Sequence, residues 1–198
     1  MSARPFRLGL TGSIAMGKST TARLFREAGV PVWDADEAVH RLYARDGAAV
    51  APLAALTPGA IRDGAVDRAA LKSAIADDPG LIARIEAIVH PLVRADREAF
   101  VAAQDAPVVV LDIPLLYETG GAADCDAVAV VTTDAKTQRA RAMERPGMTQ
   151  AHLDMILAKQ VPDAEKRARA DYVIDTSHGL EPVRAQVQTI LETIAKGE

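Results

Sequence analysis

Short apolar runs alternate with longer helical segments along this chain of 198 residues. Such runs, when turn residues bound them, are typical of strands that are buried in a parallel sheet. The five runs lie at residues 6–10, 32–36, 108–113, 127–132 and 172–174. Because helical segments separate most of them, the pattern predicts an α/β fold of three layers with a five-stranded parallel sheet.

The pattern changes between residues 37 and 104, where strand-like runs give way to apolar residues spaced three and four apart. The residues with this spacing are Leu71, Ile75, Leu81, Ile82, Ile85, Ile88 and Val89. We therefore predict a helical lobe at residues 37–104, inserted into a core that residues 1–36 and 105–198 form.

His90 and Pro91 interrupt the helical spacing of this lobe. A proline lacks a backbone N–H and disfavours helical angles in the residue before it. We therefore expect a helix to break at this pair. A histidine at such a break is usually structural, and contact with a ligand is the alternative.

Composition and charge exclude several classes of protein. The formal net charge of −4 argues against a general nucleic-acid-binding protein. Cys125 is the single cysteine, so we expect neither a disulfide framework nor a zinc cluster. Membrane spans need roughly 18 continuous apolar residues, and we find no such segment and no signal peptide. The expectation is a cytoplasmic protein without membrane or nucleic-acid partners.

The segment Gly12–Thr20 reads GSIAMGKST and joins the first predicted strand to a predicted helix at residues 18–27. It matches the phosphate-loop pattern G-x-x-x-x-G-K-[ST], with Gly12, Gly17, Lys18 and Ser19 at the fixed positions. The alternative is a glycine turn that carries a lysine by chance. The strand before the loop and the helix after it favour the phosphate loop.

Each fixed residue of this loop has a physical role in binding a nucleoside triphosphate. Glycines let successive N–H groups face the phosphates, and Lys18 reaches the β- and γ-phosphate oxygens. The hydroxyl of Ser19 completes the shell of a Mg²⁺ ion. The residues predicted to bind ATP are Gly12, Ser13, Ile14, Ala15, Met16, Gly17, Lys18, Ser19 and Thr20.

Three aspartates follow predicted strands and are candidates for chemistry. The carboxyl ends of parallel strands meet at one edge of a sheet, so Asp36 and Asp34 should arrive near the phosphate loop. The alternative for Asp36 is the N-cap of a helix at residues 37–45. Asp112 ends the strand VVVLDI and resembles the carboxylate that holds the Mg²⁺ shell in phosphate-loop enzymes, although a turn residue is the alternative.

Arg141 and Arg145 lie four residues apart in the basic stretch between the fourth and fifth strands. Such a spacing puts both guanidinium groups on one face of a helix. The alternative is a solvated face. Beside a phosphate loop, the pair predicts a lid at about residues 136–168 that closes over the transferred phosphate.

The whole chain resembles the dephospho-CoA kinase family. The resemblance rests on the order and spacing of several segments. They are GLTGSIAMGKST from Gly9, VWDADEAVHRLY from Val32, VHPLV from Val89, PLLYETG from Pro114, QRARAMER from Gln138, the residue Gln160, and ADYVIDTSHG from Ala170. These segments span nearly all of the chain.

The resemblance implies ATP-dependent phosphorylation of the 3′-hydroxyl of dephospho-CoA, the last step of coenzyme A synthesis. It implies that Asp36 is catalytic and that Arg141 and Arg145 are lid arginines. It also implies that the lobe with His90 and Pro91 binds the acceptor. The substrate-binding residues are then Thr11, Asp36, His90 and Pro91, in a monomer or weak homo-oligomer.

Departures from the family pattern occur at four positions. Ser13, Ala15 and Met16 stand where glycine, glycine and serine are usual, and Thr176 replaces an asparagine after the last strand. A nucleoside monophosphate kinase and a nucleotide-dependent switch are the rival functions. The chain lacks the N-K-x-D motif that a GTPase switch uses to read guanine.

Overall fold

The computed structural model describes residues 4–197, which contain seven strands and nine α-helices. The strands are β1 (Phe6–Thr11), β2 (Val32–Asp34), β3 (Ile61–Arg62), β4 (Ala65–Val66), β5 (Val108–Asp112), β6 (Ala127–Thr132) and β7 (Tyr172–Asp175). The helices are α1 (Lys18–Glu27), α2 (Ala35–Tyr43), α3 (Val50–Leu56), α4 (Arg68–Asp77), α5 (Leu81–Ala102), α6 (Ala135–Met143), α7 (Gln150–Leu157), α8 (Asp163–Ala168) and α9 (Leu180–Lys196). No helix within residues 4–197 is both long enough and apolar enough to cross a membrane.

The chain divides into two compact units. Residues 4–33 and 104–197 form the first unit, and residues 34–103 form the second.

The first unit is built on the five-stranded parallel sheet that the sequence predicts. The strand order is β2-β5-β1-β6-β7, and Leu8 of β1 lies opposite Val110 of β5 and Ala127 of β6. At the β2 edge, Trp33 is only 2% exposed. The prediction of an α/β fold with this sheet is confirmed.

The two faces of the sheet take alternate residues of each strand, because successive side chains of a strand point in opposite directions. On one face, Leu8 and Leu10 pack in a core with Phe25 of α1 and Val187 of α9. All four side chains are 0–1% exposed. Helices therefore cover this face, as parallel sheets require.

The opposite face has its own smaller core. Val128 and Val130 of β6 pack there against Leu116 and Tyr117, which follow β5. The partly buried Val161, which precedes α8, completes this cluster. The two cores hold the strand ends in place from both sides.

The second unit contains helices α2 to α5 around a separate apolar core. Leu53 is fully buried in this core, and Leu42 and Ile85 are less than 10% exposed. Arg41 Nη2 of α2 donates to Asp96 Oδ1 of α5 at 2.6 Å. The unit also contains the antiparallel pair β3–β4, which the sequence analysis did not predict.

The predicted helix break at His90-Pro91 is wrong. Helix α5 runs through both residues without interruption. A proline inside a helix removes one hydrogen bond, whereas Ile85 and Val89 before the pair are buried in the core of the second unit and Leu92 after it packs against the same core. Tertiary packing of this face outweighs the local loss, and His90 and Pro91 lie exposed on the helix surface.

Candidate active site

The loop between β1 and α1 has a backbone that only glycine allows at two of its positions. A Cβ atom on Gly12 would lie 2.7 Å from the carbonyl oxygen of Val131, which is closer than such atoms approach. Gly17 has φ 97°, in the left-handed region that glycine favours. The glycines of the motif are therefore required by the shape of the loop itself.

Helix α1 begins directly after this loop, and its N-terminus is open. Gly17 is the N-cap residue, and no side chain of the described residues accepts a hydrogen bond in the capping position. The first turn holds no acidic residue. Ser19 and Thr20 are exposed in this turn. The free N–H groups and the positive end of the helix dipole make this N-terminus suited to an anion.

Lys18 forms an ion pair with Asp112 at the end of β5. The Asp112 side chain is 2% exposed and the Lys18 side chain 16%, so water screens this pair little. The parallel pairing of β1 with β5 aligns Leu10 with Asp112, which explains why the carboxylate arrives beside the loop. The structure thus brings together the loop lysine and the strand-end aspartate that the sequence singles out.

Thr11, the last residue of β1, is fully buried. Its hydroxyl donates to the carbonyl oxygen of Pro114 at 3.1 Å. The contact ties the start of the phosphate loop to the segment that follows β5.

Thr176, the residue after β7, contacts both the phosphate loop and Arg141. Its hydroxyl donates to the carbonyl oxygen of Met16 at 2.8 Å and lies 3.2 Å from the carbonyl oxygen of Thr132. Arg141 donates to Thr176 twice, from Nη1 to the hydroxyl oxygen at 2.8 Å and from Nη2 to the carbonyl oxygen at 2.9 Å. Arg141 is therefore tied to a residue that touches the loop.

The prediction that Arg145 shares a helix face with Arg141 is wrong. Helix α6 ends at Met143, and Arg145 lies beyond it, exposed to solvent. Pro146 follows directly and disfavours helical angles at Arg145, while Gly147 adopts φ 75°. The sequence R-P-G therefore ends the helix between the two arginines.

Asp34, and not Asp36, is the N-cap of α2. Its carboxylate accepts from the N–H groups of Asp36 at 2.8 Å and Glu37 at 3.0 Å. The capping alternative for Asp36 is therefore wrong, because the helix begins two residues earlier than the sequence analysis expected. Asp36 lies in the first helical turn, with its side chain exposed and without a hydrogen bond or ion pair to the described residues.

A buried ion pair lies at the base of the predicted lid. Lys166 of α8 is fully buried, and its Nζ lies 2.8 Å from Glu118 Oε1. The same oxygen accepts from the N–H of Val161 at 2.9 Å. Burial alone raises the pKa of Glu118, but Lys166 and the Val161 amide outweigh it and hold the pKa below its usual value.

Two carboxylates stabilise the turns after β6 and β7. Asp134 caps α6 by accepting from the N–H of Thr137 at 2.9 Å, and hydrogen bonds from Thr137 lower the pKa of Asp134. Asp175 accepts from the N–H of Ser177 at 2.8 Å, and hydrogen bonds from Ser177 lower the pKa of Asp175. Both groups therefore stay ionised at neutral pH.

The sequence analysis assigned no role of their own to three polar residues that the structure shows in contacts at the loop or in the buried pair with Glu118. Gln138 and Gln160 both bond to the backbone of Ile14. Lys166 lies in the charged run DAEKRAR, so no local signal distinguishes it from a solvated lysine. The only sequence signal for Gln160 was its place among the residues that resemble the dephospho-CoA kinase family.

Comparison with known proteins extends this picture to the whole chain. A family model for dephospho-CoA kinase matches residues 6–181. A dephospho-CoA kinase from Cereibacter sphaeroides is 59% identical over 191 residues, which are 96% of this chain and 96% of that protein.

Solved structures agree with the fold. TT1252 from Thermus thermophilus has a TM-score of 0.84 at 33% identity, with 96% of this chain and 98% of that chain covered. A dephospho-CoA kinase from Campylobacter jejuni has a TM-score of 0.73 at 22% identity, with the same coverage.

Proposed function

Because this chain belongs to the dephospho-CoA kinase family, we propose a role for each of its site residues in that reaction. The protein is an ATP-dependent kinase that phosphorylates the 3′-hydroxyl of dephospho-CoA and so forms coenzyme A. The observation that carries this conclusion is the 59% identity to a dephospho-CoA kinase over nearly the full length of both chains.

The phosphate groups of ATP bind at the open N-terminus of α1 in this proposal. The uncapped first turn of the helix supplies backbone N–H groups, and Lys18 supplies a positive charge close to them. In the transition state, charge spreads over the oxygens of the transferred phosphoryl group. Lys18 stabilises this charge when its ammonium group turns from Asp112 to the phosphate oxygens.

The donor atoms around Lys18 suit Mg²⁺. This ion prefers oxygen ligands and keeps several of its waters, so a phosphate-loop site needs few protein ligands. The buried carboxylate of Asp112 and the exposed hydroxyl of Ser19 provide such oxygens, and the described residues contain no cluster of three or more His, Cys, Asp or Glu. We propose that these two residues hold the ion, which would neutralise phosphate charge and orient the leaving group.

Asp36 acts as the general base in the proposed reaction. The 3′-oxygen of the acceptor forms a bond to the γ-phosphorus while the bond from that phosphorus to the β,γ-bridging oxygen breaks. The hydroxyl proton passes to the Asp36 carboxylate, and ADP leaves with the bridging oxygen. The exposed carboxylate, which caps no helix, is free to take this role.

The two arginines have different roles in the proposal. Arg141 is held by Thr176 beside the loop, so it contributes fixed positive charge. Arg145 is exposed beyond the end of α6, so it reaches the phosphates only when the lid segment closes. His90 and Pro91, both exposed, contact the acceptor in this scheme. Thr11 belongs to the same predicted set, but its side chain is fully buried, so its contact with the acceptor requires the start of the loop to move on binding.

The direct test measures ADP release with Mg-ATP and one acceptor at a time. The acceptors are dephospho-CoA, AMP, CMP and adenosine, with a reaction without acceptor as the control. Release should rise with dephospho-CoA alone, and mass spectrometry should find a product one phosphate heavier. Equal release with every acceptor, or with none, would contradict the assignment of the acceptor.

A further inference from the structure

Two glutamine side chains hold one residue of the phosphate loop, Ile14, through the two peptide groups on either side of it. Gln138 Nε2 on α6 donates to the carbonyl oxygen of Ile14 at 2.9 Å. The N–H of Ile14 donates to Gln160 Oε1 at 3.2 Å. Because a carbonyl only accepts and an N–H only donates, each amide side chain has one orientation that satisfies its partner. Ile14 is therefore held from both of its backbone polar groups.

The next residue, Ala15, has an unfavourable backbone conformation. Its φ is 62°, in the left-handed region, and its side chain is 8% exposed. This conformation is unfavourable for a residue other than glycine and persists only where the surroundings impose it. Something outside Ala15 must therefore hold it in place.

The residue after Ala15 is tethered as well. The carbonyl oxygen of Met16 accepts from the hydroxyl of Thr176 at 2.8 Å, and its sulfur accepts from the N–H of Thr133 at 3.2 Å. The strained residue thus lies between two neighbours whose positions are fixed. The N–H of Met16 also donates to the carbonyl oxygen of Ser13 at 3.3 Å, which closes a turn around Ile14 and Ala15.

The turn that carries Gln160 is itself fixed. Val161, the next residue, donates its N–H to Glu118 Oε1, which also pairs with the buried Lys166. Removing a buried charge partner is strongly destabilising, so this pair resists displacement. A continuous set of contacts therefore joins Lys166 and Glu118 to Ile14 of the loop, and all of these residues belong to the first unit.

We propose that Gln138 and Gln160 are positioning residues that keep the phosphate loop in its nucleotide-binding shape. They act on the backbone of Ile14 and not on the phosphates, and they preserve the left-handed turn at Ala15. The N–H groups of the first turn of α1 then face the β- and γ-phosphates. Since both glutamines lie in the segment 135–168, this segment sets the affinity of the loop for ATP. The inference rests on the proposed use of the loop as the ATP site.

The first test is a matched pair of variants, Gln138→Glu and Gln160→Glu. Both add one negative charge beside Ile14, so the two variants change the net charge equally. A glutamate at 160 still accepts from the Ile14 N–H, whereas a glutamate at 138 faces the Ile14 carbonyl without a donor. The Kd of Mg-ADP, measured by calorimetry, should rise about tenfold more in Gln138→Glu than in Gln160→Glu. Equal changes would overturn the proposal.

The second test uses Gln138→Ala and Gln160→Ala. Each should raise the KM for ATP about fivefold, the scale of one lost hydrogen bond, and leave the KM for dephospho-CoA within about twofold. Gln150→Ala is the control, because Gln150 lies on α7 and donates to the neighbouring Asp154 instead of the loop. The KM values of Gln150→Ala for ATP and for dephospho-CoA should equal those of the wild type.

A purely structural role would give a different result. Both KM values would then change together, or the Tm without nucleotide would fall while the Kd of Mg-ADP stayed as in the wild type. Either result would overturn the proposal. A wild-type protein that binds Mg-ADP but does not phosphorylate dephospho-CoA would contradict the choice of dephospho-CoA as acceptor. It would leave the role of the two glutamines intact, because ADP binding is measured without an acceptor.

Discussion

The N-termini of α1 and α2 both follow a strand of the same sheet, yet they are built in opposite ways. At α1 the N-cap is a glycine, no side chain caps the helix and the first turn carries no acid. At α2 the Asp34 carboxylate caps two N–H groups, and Asp36 and Glu37 stand in the first turn. One N-terminus leaves its donors for an anionic ligand. The other satisfies its donors within the chain and presents carboxylates.

The comparison shows how one topology serves two chemical roles. A helix N-terminus attracts anions whatever its sequence, so the residues of the first turn decide whether a ligand or the chain supplies them. At α1 no side chain takes that place, and in the proposed reaction phosphate does. Asp34 fills it at α2, and in the proposed reaction Asp36 then acts as the base.

The change with the largest expected effect at α1 is Lys18→Ala. Loss of a charge that stabilises the transition state should lower kcat about a hundredfold or more, with the circular dichroism spectrum unchanged. Lys136→Ala, an exposed lysine on α6, is the control and should keep kcat. Steady-state kinetics with Mg-ATP and dephospho-CoA measures both, and a near-normal kcat in Lys18→Ala would remove the lysine from the mechanism.

At α2 the corresponding change is Asp36→Asn. It keeps the shape of the side chain but removes its ability to accept a proton, so kcat should fall about a hundredfold or more. The matched control is Glu37→Gln, which removes the neighbouring exposed charge from the same helical turn. An equal loss of kcat in both variants would mean that negative charge, and not proton transfer, matters at this helix.

The two N-termini can be made alike with Thr20→Glu, which places an acid in the first turn of α1. The carboxylate would compete with phosphate for the positive end of the helix and repel it. The Kd of Mg-ADP should therefore rise about tenfold, the scale of one added charge near a surface ligand. Thr20→Gln is the neutral control, and a Thr20→Glu protein that binds as tightly as this control would contradict the comparison.

The smallest expected effect is that of removing the cap of α2. Asp34→Ala should lower the free energy of unfolding by about 1 kcal/mol, and Asp34→Asn should restore most of it, because asparagine also caps helices. Urea denaturation measures both values. Activity of folded Asp34→Asn should stay near that of the wild type, and a hundredfold loss there would assign chemistry to Asp34 as well.

Local rules predict the central sheet and the phosphate loop well. The strand at 127–132 and the helix at 18–27 have the boundaries that the sequence pattern gives. Glycine at Gly12 and Gly17 is required by the backbone and by close neighbours, so a motif of single residues carries the shape of the loop. In these places local preference and tertiary packing agree.

The predictions that failed did so where packing or an overlooked local signal decides. The buried face of α5 carries the helix through Pro91, which local preference alone would forbid. At Arg145 the opposite happened. The sequence analysis expected the helix to continue through Arg145, whereas the proline that follows this residue ends α6. The β3–β4 pair was missed although Asp63-Gly64 is a hairpin signal, and both residues have the positive φ of such a turn.

Side-chain contacts between residues that are far apart in the sequence are hard to predict from the sequence alone. Gln160 lies 146 positions from Ile14, and Lys166 lies 48 from Glu118. Neither distance nor residue type predicts these pairs, since a glutamine or lysine in a charged segment is usually solvated. Only the folded arrangement of β5, β6 and the segment after them brings the partners together.

Trp33 gives the protein a built-in optical signal. It is the single tryptophan of the chain, it is 2% exposed, and it directly precedes the Asp34 cap. All tryptophan emission therefore comes from one residue at the point where β2 passes into α2. Rapid-mixing fluorescence can follow events at this junction with no attached label.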